Sequence, residues 1–163
     1  MLRLLNRTAW FFALVGGVVA LALAAMVVVS IAGRATLARP IPGDVELTQF
    51  GIALAISLSL PWCQLHGSNI MIDFFTQKLP QRGIAALDAL GALLLGAMAA
   101  LLSWRAAVGA RDSRQTFEAT MILDLPMWWV YASLAPGLAL TALIALVQAA
   151  LLLAGRDLTE FRS

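Results

Sequence analysis

The sequence predicts an all-α integral membrane protein with four transmembrane helices. A short amphipathic helix is expected in the membrane plane between spans two and three. Three observations predict this class. The 163-residue chain is 61% hydrophobic and 12% charged, with a mean hydropathy of +0.88, whereas soluble domains carry about 25% charged residues. Four apolar stretches approach or exceed the roughly 20 residues that ~30 Å of hydrocarbon requires. The connections between them are too short to hold a folded domain, so 1–163 reads as a single membrane domain.

The first span is 9–33, an uncharged run between Arg7 and Arg34. Its basic start and the Ala-Gly-Arg-Ala segment ending at Ala35 have the look of a secretory signal. The apolar run is far longer than the about 7–15 residues of a signal core, so a retained helix is expected. Span two covers 46–65, span three 84–104 with Asp88 as its one interruption, and span four 126–153, closed by Arg156. Pro40, Pro42 and Gly43 mark the first loop, and Arg105 to Asp124 reads as a solvated third loop.

Four crossings put both termini on one side. That side carries Arg3, Arg7, Lys78, Arg82, Arg156 and Arg162, and the other carries Arg34, Arg39, Arg105, Arg111 and Arg114. The positive-inside rule leans toward cytoplasmic termini by one charge. Aromatic residues fit the same parity. Trp10 and Trp62 belong to one interface, and Trp104, Trp128, Trp129 and Tyr131 to the other.

Several function classes fall away on composition. The Lys and Arg residues are scattered and the net charge is +2, so there is no basic stripe for nucleic acid. One cysteine, Cys63, cannot make an internal disulfide or a dithiol pair, and one histidine, His66, cannot supply both axial ligands of a haem. No phosphate loop, metal-ligand spacing or nucleophile–base pair is present, so no enzyme and no cofactor is expected.

The remaining candidates are partner-interface residues: Glu46, His66, Asn69, Asp73, Asp88, Trp128 and Trp129. Asp88 shares a four-residue spacing with Ala92, Gly96 and Ala100, a small-residue face suited to close helix packing. It reads as an interfacial carboxylate or, in a bolder reading, an ion ligand. Asp44 and Glu46 open span two, where carboxylates satisfy the first N–H groups and the helix dipole. Segment 69–80 carries Met71, Phe75 and Leu79 on one face with Asp73, Gln77 and Lys78 as its polar residues, the pattern of a helix in the membrane plane. Ser57, Ser59 and Thr141 are expected to bond back to their own helices. The Pro136-Gly137 pair breaks span four, a feature that can accompany transport sites. The midplane of every span is otherwise Ala, Val, Leu and Gly, which argues for a scaffold and against a complete pump.

Three motifs in order carry a resemblance. They are Pro42-Gly43 followed by Glu46-Leu47, the block from His66 to Asp73 with its continuation to Pro80, and Leu125-Pro126-Met127-Trp128-Trp129-Val130-Tyr131 followed by Pro136-Gly137. In this topology the chain resembles the small, DctQ-type membrane subunit of tripartite ATP-independent periplasmic (TRAP) transporters. It departs from the family around the loop-two aspartate, where His66, Asn69 and Met71 stand at positions that are often basic or His and only Asp73 matches. The resemblance implies a bacterial or archaeal inner-membrane protein with cytoplasmic termini. It implies a large elevator-type subunit that holds the substrate and sodium sites, and a periplasmic binding protein that delivers an organic acid. Surrounding membrane lipid is the remaining partner. The alternatives are a stand-alone homo-oligomeric transporter or channel, and a membrane anchor of an enzyme complex.

Overall fold

The computed structural model describes residues 2–37, 41–66 and 81–154. These residues form four helices, α1 (Leu2–Leu37), α2 (Asp44–His66), α3 (Gln81–Gln115) and α4 (Trp128–Leu153). Each is long and apolar enough to cross a membrane. Among the described residues the chain is therefore all-helical, with four helices long and apolar enough to span a membrane, as the apolar runs predict. The expected in-plane helix at 69–80, with Asn69 and Asp73, lies outside the described residues.

Two helices run well past their apolar stretches. α1 extends beyond 9–33 at both ends, and α3 continues from Trp104 to Gln115 through a segment that reads as a linker in the sequence. The reason for the second extension is packing. Ala106 and Ser113 are buried, and Gly109 faces the Tyr131 ring of α4. Helix α4 starts two residues later than the predicted span. Pro126 pairs with Ala119 in an isolated antiparallel bridge and accepts the Trp129 amide at 3.2 Å.

The helices form a row in the order α1–α2–α4–α3, with each neighbouring pair in extensive contact. Gly16 faces Ala55 and Ser59, Gly51 faces Leu23, and Ser30 meets Asp44, so α1 and α2 are antiparallel. Gly96 against Leu146, Gly109 against Tyr131 and Arg114 over Trp128 set α3 antiparallel to α4. α2 and α4, the second and fourth crossings, run in the same direction down the middle. At the end that holds Trp62, Leu5 and Ala9 reach Leu65 and Ile144, the nearest thing to a shared core. Most other large apolar side chains, including Val18, Leu21, Met98 and Leu101, face outward, as expected where lipid is the solvent.

The tightest crossing lies in the middle pair. Pro61 of α2 has no amide, so the Ser57 carbonyl loses its usual partner one turn back. In hydrocarbon an open carbonyl needs another donor. Gly137 of α4 supplies the nearest group, since a Cβ at this position would collide with the Ser57 carbonyl and hydroxyl oxygens. Its Cα–H therefore points at the open carbonyl, a weak hydrogen-bonding contact that only glycine permits. Gly137→Val should lower the stability of the purified protein by about 1–3 kcal/mol through overpacking. Gly17→Val, where a Cβ meets nothing within 4 Å, should leave the thermal melting curve in detergent nearly unchanged.

Candidate functional site: the polar seam and the clasped third loop

The polar side chains of the bundle gather along α2 and α4. Ser57 donates its hydroxyl to the Leu134 carbonyl at 2.8 Å, and Ser103 of α3 donates to the Ala135 carbonyl at 3.0 Å. The carbonyls of the two residues before Pro136 are thus held from both flanking helices. Ser57 was expected to bond back to its own helix. The missing amide at Pro61 and the approach of Gly137 bring an α4 carbonyl within its reach instead. Ser59 and Thr141 behave as expected, bonding to the Ala55 and Gly137 carbonyls, both at 2.8 Å. The Pro136-Gly137 break is therefore a packed joint and not an open cavity.

Two turns beyond Ser57, Gln64 and Gln148 meet in the buried seam. The Gln64 amide donates to Gln148 Oε1 at 2.8 Å, and Gln148 Nε2 donates to the Gln64 and Leu65 carbonyls at 3.1 and 3.3 Å. Gln148 is 3% exposed. Sequence reasoning missed this pair. The available signal was a glutamine in each of two otherwise apolar runs, both on the same end of the span.

The opposite end is tied by carboxylates. Asp44 accepts the Ser30 hydroxyl at 2.6 Å and the Arg34 guanidinium at 3.4 Å, the one ion pair among the described residues. The buried Ser30 oxygen in turn accepts the Ile41 amide at 3.3 Å, closing the first loop. Gly43 sits at φ 72°, with Leu123 packed where its Cβ would stand, so two constraints demand glycine there. Glu46 lies in the first turn of α2, yet its carboxylate spans to the loop before α4. The Ile122 amide donates to Oε1 at 3.0 Å and the Leu123 amide to Oε2 at 3.1 Å. A carboxylate gripping two consecutive N–H groups is a charge-assisted clasp.

Loop three (116–127) is ordered by further bonds. The Thr120 amide reaches the Leu125 carbonyl at 3.0 Å, the Met127 amide reaches the Glu118 carbonyl at 2.9 Å, and the Ser113 hydroxyl reaches the Glu118 carboxylate at 3.0 Å. Phe117 and Asp124 hold left-handed backbones at φ 53° and 56°. Aspartate accepts that region readily, whereas a phenylalanine there is a strained outlier.

The other sequence candidates fall separately. His66 Nδ1 lies 3.2 Å from the Trp62 carbonyl and its ring stacks on Trp62 at 3.9 Å between centroids. Trp128 packs edge-on to Trp129 and under the Arg114 guanidinium, while Trp129 is exposed. Asp88 is half-buried on α3. Its expected packing face holds at Gly96, which meets α4, but fails at Ala100, which is exposed. A strict four-residue spacing drifts round a helix with 3.6 residues per turn, and the stripe that packs is Ala89, Gly96, Ala99, Ser103 and Ala106. Among the described residues no group of three or more His, Cys, Asp or Glu side chains is placed to hold a metal ion.

The profile of the family described as "Tripartite ATP-independent periplasmic transporters, DctQ component" matches residues 23–155. The chain belongs to this family. The match takes in α2, α3 and α4 whole, together with the Glu46 clasp, the Gln64–Gln148 pair and loop three. No curated protein and no solved structure matches the chain. As a DctQ-family member it is a small subunit of a TRAP transporter, and the motifs that carried the resemblance acquire a structural meaning. Pro42-Gly43 and Glu46 shape and clasp the loops, and the Trp128–Tyr131 block docks α4 onto α3.

Two outcomes test the seam and the clasp. Gln148→Leu should cost about 1–2 kcal/mol, the scale of interhelical hydrogen bonds in membranes, with Gln64→Leu/Gln148→Leu recovering part of the loss in a thermal unfolding assay. Glu46→Ala should raise the rate of proteolytic cleavage in loop three by about fivefold or more, because the loop opens locally while the helices stay folded.

Proposed function

We propose that this chain is the non-catalytic small subunit of a TRAP-type secondary transporter. It braces a large elevator-type membrane subunit and helps a periplasmic binding protein to dock, for sodium-coupled uptake of an organic acid. The chain sits in a bacterial or archaeal inner membrane with both termini in the cytoplasm.

The observation that supports this reading is where the polar groups of the described bundle go. Ser57, Ser103, Thr141, Gln64 and Gln148 hydrogen-bond to α2 and α4 themselves. A transporter that binds a charged solute needs such groups aimed into a water-filled space near the midplane. The groove of about 500 Å³ between α1 and α2 is walled by Ala20, Leu23, Ala24, Val27, Ile52, Ala55 and Ile56, and the hydroxyl of Thr48, its one polar side chain, bonds back to the Asp44 carbonyl. Such a surface suits acyl chains or apolar helices and offers an organic anion nothing. Interior packing tied by hydrogen bonds, with apolar outer faces, fits a static brace.

The test is reconstitution. The purified chain alone in proteoliposomes should accumulate no solute under a sodium gradient, and a tagged chain should co-purify with a large membrane subunit. Uptake by the chain alone, abolished by Asp88→Asn, would overturn the reading in favour of a stand-alone carrier.

A further inference from the structure

The groove of about 500 Å³ runs beside the line where α1 and α2 touch. On α1 it reaches from Ala20 to Val27 and on α2 from Thr48 to Ile56, about 10–12 Å along each helix. One turn below Ala20 the two helices close on each other. A Cβ at Gly16 would stand 2.9 Å from the Ser59 hydroxyl and 3.0 Å from the Ala55 carbonyl. The groove therefore occupies the half of the apolar run 9–33 that ends at Arg34, and it stops near the middle of that run. A crossing helix of another subunit needs a seam about 30 Å long, whereas a lipid tail needs one leaflet, about half of that. The length of the groove fits the tail.

The outer end of the groove carries charge. Asp44 precedes Thr48 by one helical turn, about 6 Å, and binds the Arg34 guanidinium at 3.4 Å. Arg34 shares a face of α1 with Ala20, Ala24 and Val27, because steps of four, three and seven residues return to nearly the same angle. Its side chain is 63% exposed, and Asp44 is its one acceptor among the described residues. A guanidinium has five N–H donors, and a contact of 3.4 Å is long for a charge-assisted bond. Most of its donor capacity is left for another acceptor at the mouth of the groove. Arginine suits phosphate in particular, because its planar fork matches the phosphate oxygens. Apolar walls one leaflet deep beneath a guanidinium complement a hydrocarbon tail with a phosphate at its head.

We propose that the groove between α1 and α2 is a phospholipid site, with an acyl chain between Ala20 and Ile56 and the phosphate on the Arg34 guanidinium. Asp44 is the positioning residue. It holds Arg34 at the mouth, and the Ser30 hydroxyl fixes Asp44 in turn at 2.6 Å. α1 packs chiefly on α2, so a tail lodged along both helices reinforces the attachment of α1 to the row. The site is built from this chain alone and does not depend on the proposed transporter role.

The experiment uses the full chain, purified in detergent and stripped of lipid, with its melting temperature followed as amphiphiles are added. Dioleoyl phosphatidylglycerol should raise the melting temperature saturably, and native mass spectrometry should find one lipid retained per chain. Dioleoylglycerol has the tails without the phosphate, and inorganic phosphate has no tail, so neither should give a saturable rise. Arg34→Gln should weaken phosphatidylglycerol binding about tenfold, the scale of one lost charge-assisted hydrogen bond. Arg34→Lys should restore part of that loss. Ala24→Phe, which fills the groove, should abolish retention, whereas Arg111→Gln, at an exposed position on α3, should leave it unchanged. Equal binding of phosphatidylglycerol and dioleoylglycerol to the unaltered chain would overturn the proposal without recourse to any variant, since Arg34 would then play no part. Undiminished binding by Arg34→Gln would also overturn it. So would an Ala24→Phe chain that retains lipid but no longer co-purifies with a large membrane subunit, which would assign the groove to a helix.

Discussion

The contact between α2 and α4 at Ser57 and Gly137 is the constraint on which the rest of the row depends. A bilayer gives helices no hydrophobic reason to associate, so close backbone approach and interhelical hydrogen bonds must supply it. α1 packs chiefly on α2 and α3 packs on α4, so the two outer pairs cohere chiefly through the middle. That middle is secured at three heights. Glu46 binds loop three at one end, the Ser57 hydroxyl and carbonyl meet α4 near the centre, and Gln64 and Gln148 exchange bonds at the other end. Two prolines take part. Pro61 opens the carbonyl that Gly137 approaches, and Pro136 sits beside the carbonyls that Ser57 and Ser103 hold.

A row of helices joined in this manner presents broad apolar faces and little interior. A four-helix protein packed as a compact square would bury its small-residue stripes and enclose a core. Here the buried set is small, dominated by alanines, and the large aliphatic side chains look outward. Such a body turns most of its large aliphatic side chains to its sides. Its helices are tied by hydrogen bonds between neighbours and by loops bonded to helix ends. The same economy explains why charge is kept to the ends. Asp44 and Glu46 are anchored by Ser30, Arg34 and two loop amides, so that carboxylates at the start of α2 also fix the shape of the outer surface.

The sequence by itself determined the class of fold and the number of crossings. Hydrocarbon thickness and the cost of charge set a length and a composition that the four apolar runs meet, and the positions of Trp62, Trp104 and Trp128 gave the parity of the ends. The ordered motifs around Glu46 and Trp128 were enough to indicate the family. The tertiary structure alone decided where polar groups find partners. Ser57 reads as a self-bonded hydroxyl until Pro61 and Gly137 are brought together in space, and Gln64 and Gln148 are too far apart in sequence for any periodicity to join them. The extension of α3 past Trp104 was equally hidden, because Arg105, Arg111 and Arg114 look like a loop until Ala106, Gly109 and Ser113 are seen to pack inward. Local patterns report what each helix needs from its solvent, whereas a hydrogen bond between helices depends on the distance between two chain segments, which no local pattern carries.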